Sequence, residues 1–187
     1  VRARQALADL RLQAPSFGTR VEAQTAREAT DALRDARRDL RAMTAGITTV
    51  ISSNDQFNEA ACRATADLYM LASRTPEGIY PFAGIPWYST VFGRDGIISA
   101  WQMLWLDPSL AKGVLTYLAS RQATETSLYR DSQPGKIMHE TRGGEMSALH
   151  EVPFGLYYGG VDTTCLFVAL AGAYANRTGD LDLIRKL

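Results

Sequence analysis

Two stretches of this chain, residues 97–105 and 166–174, are apolar nearly all round a helical wheel, and each is entered by a long loop rich in glycine and aromatics. Ile97, Ile98, Ala100, Trp101, Met103, Leu104 and Trp105 make up the first, and Leu166, Phe167, Val168, Leu170 and Tyr174 the second. A helix without a polar face has to be enclosed, by protein or by lipid. Lipid is excluded, because the longest apolar run, residues 165–175, falls well short of the ~20 residues a membrane-spanning helix needs. The segments before each are amphipathic. Phe57, Ala61, Ala64, Leu68 and Leu71 repeat at steps of four and three behind a cap at Asn54 or Asp55, with Glu59 and Arg63 on the wet side. Leu110, Val114, Tyr117 and Leu118 do the same after Asp107, Pro108 and Ser109, opposite Lys112 and Ser120. This alternation predicts an all-α fold in two layers, a helical toroid with amphipathic helices outside and enclosed helices inside. A plain bundle would spread its apolar stripes evenly and use short loops.

Ahead of this region, charges alternate in sign over residues 22–43 around Ala29, Leu33, Ala36, Leu40 and Met43, one face of a helix that Gly46 ends. Residues 15–19 read as a turn. Residues 76–93, dense in Pro, Gly and aromatics, read as an ordered loop, as does the Gly-rich stretch 123–160. Gly179 closes the last long helix and Asp180 opens another.

Lys and Arg number 20 against 20 Asp and Glu, so no net charge is available to gather nucleic acid or an anionic membrane. A neutral ligand such as a sugar is compatible. The two cysteines, Cys62 and Cys165, lie far apart with no CxxC, which suggests neither a disulfide framework nor zinc and mildly favours a reducing compartment. His139 and His150, the only histidines, have no third ligand at helical spacing.

Three clusters carry chemistry. In residues 83–95, AGIPWYSTVFGRD, Trp87 and Tyr88 can stack on a sugar face while Arg94 and Asp95 bond its hydroxyls. Equally, Arg94 and Asp95 can be a local ion pair with Asp95 capping a helix. Residues 134–146, PGKIMHETRGGEM, and Glu151 after them set Glu140, Arg142 and Glu145 in a Gly-rich loop, as acid, base or hydroxyl ligands or simply as solvated charge. Third, Tyr157-Tyr158-Gly159-Gly160-Val161-Asp162 presents a carboxylate at the start of an apolar helix. Burial would raise its pKa toward that of a proton donor and the helix N-terminus would lower it, while a plain N-cap needs no catalytic role at all.

Taken together, AGIPWYSTVFGRD, PGKIMHETRGGEM and PFGLYYGGVDTTCLFVALAGAYANRTGDL resemble, in order and spacing, successive motifs of the bacterial and archaeal amylo-α-1,6-glucosidase, or glycogen-debranching, family. The resemblance covers about residues 54–187. It implies an (α/α)6 barrel acting on α-glucosidic linkages, with no metal or organic cofactor. It implies Asp162 as the catalytic proton donor, Arg94 and Asp95 as ligands of the sugar in the cleavage subsite, and Glu140, Arg142 and Glu145 as further substrate ligands beside Trp87. Residues 1–53 are then a linker helix with a remnant of an upstream β-sandwich domain, and residues 54–187 the N-terminal, incomplete part of the barrel.

The resulting expectation is a cytoplasmic hydrolase that cleaves α-1,6 branch linkages of glycogen or a related α-glucan by an inverting two-carboxylate mechanism. Its partner is an α-glucan or oligosaccharide, with no nucleic acid and no membrane. The base is expected beyond Leu187, so that this chain alone is inactive and exposes apolar surface on its two enclosed helices. Two alternatives stay open: another α-glucoside hydrolase, for trehalose or oligosaccharides, and a non-catalytic glucan-binding scaffold.

Overall fold

The computed structural model describes residues 18–187, and the chain divides into two compact units, Val1–Ala45 and Gly46–Leu187. The stretch ahead of residue 18, where a β-sandwich remnant and most of the turn at 15–19 are expected, lies outside the described residues. The first unit is built on α1 (Gly18–Thr44), a single helix of 27 residues. Arg34–Asp31 and Arg38–Asp35 ion pairs lace its wet side at one-turn spacing. Leu33 on its apolar stripe is 52% exposed.

In the second unit, Asn54 caps α2 (Asp55–Leu71), its side chain accepting from the Phe57 N–H at 3.1 Å. The anchor of α2 is Tyr69, fully buried, whose hydroxyl donates to Asp107. Asp107 in turn accepts from the Ser109 N–H and caps the helix Pro108–Ala119, so one carboxylate ties two helices together.

An all-α fold is not what forms. Where α2 ends, β1 (Ala72–Thr75) and β2 (Gly78–Pro81) pair as an antiparallel hairpin in register Ala72↔Pro81 to Thr75↔Gly78. Pro76 disfavours a helical residue before it, and Gly78, at φ +137°, takes a conformation closed to other residues. The decisive contact is tertiary. A Cβ on Gly113 would lie 2.2 Å from the Ile79 carbonyl, so the hairpin seats on the one helix face bare enough to receive a backbone. The expected toroid of helices alone is therefore corrected to a mixed helical unit with a two-stranded sheet.

The remaining elements are α3 (Gly93–Met103), α4 (Pro108–Ala119), a single turn α5 (Glu145–Ala148), a 3₁₀ turn Pro153–Gly155, α6 (Thr163–Thr178) and the short α7 (Leu181–Ile184). Tyr80 of β2 is buried against Gly96 of α3, and its hydroxyl donates to the Phe92 carbonyl at 2.9 Å. Gly179, at φ +72°, ends α6 and Asp180 caps α7.

The expected outer helix turns out to be the innermost. Leu110, Ala111, Gly113, Val114, Leu115, Tyr117 and Leu118 of α4 are all buried, with β2, α3 and α6 packed around them. Its small residues Ala111 and Gly113 extend the apolar stripe into a surface covered on several sides. On α3, Ile98 and Trp101 are 41% and 40% exposed, and on α6 Val168 is 65% exposed. Both helices bury one face only, Phe167, Leu170 and Tyr174 in the case of α6. Among the described residues no helix is long and apolar enough to cross a membrane.

The hairpin seat gives a direct test. Gly113→Ala is expected to destabilise the chain by ~1–3 kcal/mol, the usual cost of forcing a group into a packed interior. Gly172→Ala, on α6 with nothing within 4 Å of its new methyl, should be neutral or gain up to ~1 kcal/mol. Urea denaturation of both variants checks this, and equal stabilities would contradict the packing described.

Candidate functional site

The site is built around an extended segment, residues 137–140, laid between the N-termini of α3 and α6. The Gly93 N–H donates to the His139 carbonyl at 2.7 Å, which brings the start of α3 to the segment. Gly93 has no side chain because one would overlap the Met138 carbonyl, 2.2 Å away. On the other side the Ile137 N–H donates to Thr164 Oγ1 at 3.0 Å, which brings in α6. Glu140 adds bridges to Phe92 and to Tyr157.

Arg94 and Asp162, 68 residues apart, meet across this seam. Arg94 Nε lies 2.6 Å from Asp162 Oδ2, and Nη2 donates to Oδ1 at 3.2 Å, a two-pronged guanidinium–carboxylate pair. Asp162 stands in the N-cap position of α6, yet its carboxylate makes no capping bond to the helix. Simple capping therefore does not account for it. Nor is Arg94 the local partner of Asp95, and α3 begins at Phe92 with no side-chain cap.

The hydrogen bond from Arg94 holds the Asp162 carboxyl below its ordinary range, against the opposing effect of partial burial and with further help from its own backbone N–H and from His139. Asp162 is consequently an ionised carboxylate in this arrangement. As a proton donor it would first have to lose Arg94.

Glu140 is buried and accepts from Arg142 Nε at 3.0 Å. Arg142 also donates to the Trp87 carbonyl at 3.3 Å, and its guanidinium lies over the Tyr88 and Phe92 rings, 5.7 and 5.6 Å from their centroids. The aromatic loop is thus tied to the Glu140 strand by Arg142, while the Trp87 ring is 78% exposed. The side chain of Asp95, in the first turn of α3, makes no hydrogen bond or ion pair with any described residue. It borders a groove of about 180 Å³ walled by Leu68, Leu71, Phe82 and Ile98, on the flank of Arg94. That groove shares only Arg94 with the Asp162 pair. Glu145 is not brought in: Gly144, at φ +119°, turns the chain so that Glu145 opens α5, where a helix N-terminus favours its charge.

His139 and Thr163 belong to the site as well; the sequence offers Thr163 only as an alternative cap to Asp162, and the cap position is taken by Asp162. His139 packs edge-on against Phe92 and Tyr157, at 6.0 and 6.3 Å between ring centroids. Its position next to Glu140 was the only available signal. Each arginine here is matched to one carboxylate, leaving Asp95 unmatched. The set carries no excess positive charge to hold an anion, so it suits a neutral polyhydroxylated ligand better. Among the described residues no group of three or more His, Cys, Asp or Glu is placed to hold a metal.

The ion pair carries a pH prediction. With the folded pKa of Asp162 depressed, its stabilisation is present above the unfolded-state value, about 3.9, and disappears as pH falls through the folded one. Side-chain exposures of 45% and 37% keep the pair within ~1 kcal/mol. Carbon-13 titration of the Asp162 carboxyl should give a midpoint below the usual aspartate range, moving up in Arg94→Met. An unchanged midpoint in that variant would refute the pairing.

No protein-family model matches this chain, and no curated protein matches it.

Proposed function

We propose that these residues belong to a glycoside hydrolase acting on an α-glucan, most specifically on α-1,6 branch linkages, with Asp162 as one of the two carboxylates of an inverting displacement. The observation that supports the reading is the Asp162 carboxylate itself. It makes no capping bond and is gripped by Arg94 at the seam that also carries Glu140, which Arg142 ties to the Trp87 loop, while Asp95 borders the neighbouring groove. The motif resemblance supplies the linkage and the substrate. In this reading a bound sugar draws the Arg94 fork onto its hydroxyls, and the Asp162 pKa rises toward that of a general acid. The protein would work in the cytoplasm, a setting in keeping with exposed, unpaired Cys62 and Cys165.

The Arg94 pair favours a second assignment for the same residue. An aspartate kept ionised is suited to activating water, the opposite half of the reaction. Leaving-group chemistry separates the two. Asp162→Asn in the full-length protein should lower kcat on branched dextrin by ~10²–10⁴-fold with little change in glucan affinity. On α-glucosyl fluoride, whose leaving group needs no proton, an acid variant recovers most of its rate and a base variant does not. Turnover of branched dextrin within about twofold of wild type would remove Asp162 from the mechanism, being below even the lower bound for acid–base catalysis. Glucan binding without glucose release from dextrin, isomaltose or trehalose would mark a binding scaffold instead.

A further inference from the structure

Two buried polar atoms behind the Asp162 pair have no hydrogen-bond partner, Thr163 Oγ1 and His139 Nδ1. They converge. A Cβ built on Gly160 would lie 2.5 Å from Thr163 Oγ1 and 3.1 Å from His139 Nδ1, yet the two atoms make no bond to each other. Thr163 is fully buried, and its hydroxyl cannot turn away without its methyl leaving Gly93, where a Cβ would meet that methyl at 2.6 Å. A β-branched side chain so wedged keeps one rotamer. Burying a hydroxyl and an imidazole nitrogen unpaired is costly, and proteins answer that cost with an internal water wherever two to four polar groups face a common space.

We propose that a single buried water molecule beside Gly160 bridges His139 Nδ1 and Thr163 Oγ1 and so ties the 137–140 segment to the start of α6. The Thr163 hydroxyl can donate to such a water, which then donates one of its own hydrogens to His139 Nδ1. With Nδ1 accepting, the proton of the neutral imidazole stands on Nε2. Because Thr163 is shut off from solvent, the site takes water and not a substrate hydroxyl. Gly160 is small for this reason: a methyl there would strike both partners. The bridge joins residue 139 of the seam to the first residue of α6, directly beside Asp162, and it holds whether or not the protein is a glycosidase.

The test needs no activity. A high-resolution crystal structure of this chain should place an ordered water within hydrogen-bond distance of both atoms, and nitrogen-15 NMR should find the Nε2–H tautomer of His139. Thr163→Val, which keeps the shape and removes the hydroxyl, should lose the water and shift the His139 Nδ1 resonance, whereas Thr163→Ser should retain both. A wild-type structure with no water touching the two atoms, or with His139 and Thr163 bonded directly, would overturn the proposal. So would a His139 Nδ1 resonance identical in wild type and a folded Thr163→Val.

Discussion

The backbone of residues 137–140 is the constraint on which the rest of the second unit depends. It bonds to the start of α3 through the His139 carbonyl and to the start of α6 through the Ile137 N–H. Two helix N-termini are thereby held side by side, although α4 and the long Gly-rich stretch after it separate them in the chain. Everything chemical follows from that proximity. Arg94 is the second residue of α3 and Asp162 immediately precedes α6, so a short strand between the helices is enough to bring the guanidinium and the carboxylate together. Glycine at position 93 is required for it, since any side chain would collide with the Met138 carbonyl.

The two arginines divide the labour. Arg94 neutralises Asp162 across the seam, and Arg142 neutralises buried Glu140 while fastening the Trp87 carbonyl and lying over Tyr88 and Phe92. A partly exposed pair such as Arg94–Asp162 contributes little to stability. Its significance is electrostatic: it fixes the charge state of Asp162 until something else competes for the guanidinium. A neutral ligand with several hydroxyls can do so without bringing a charge of its own.

Local chemistry was legible in the sequence wherever a single residue decides the backbone. Asn54 capping α2, Asp107 with Pro108 opening α4, and Gly179 followed by Asp180 between α6 and α7 all follow from side-chain caps and from glycine at positive φ. The sequence sets Arg94 and Asp162 at the starts of two apolar helices entered by long loops, but not the ion pair between them nor the turn of Asp95 toward a neighbouring groove. What was not legible is tertiary. The hairpin at Ala72–Pro81 exists because Gly113, far along the chain in the fold's interior helix, leaves room for the Ile79 carbonyl, and an apolar stripe says nothing of such a seat. For the same reason α4 read as an outer helix and is the most enclosed. That His139 Nδ1 and Thr163 Oγ1 lack partners was not legible either, because a buried orphan atom is defined by what fails to reach it.

The most direct measurement is a sugar titration followed residue by residue. If the seam between α3 and α6 is a saccharide site, adding isomaltose or a branched dextrin to the nitrogen-15-labelled chain should shift the resonances of Arg94, Asp95, Glu140, Arg142 and Asp162, along with the Trp87 indole, and leave α1 and α7 unchanged. Saturating sugar that leaves the Arg94 and Asp162 signals unmoved would contradict the account.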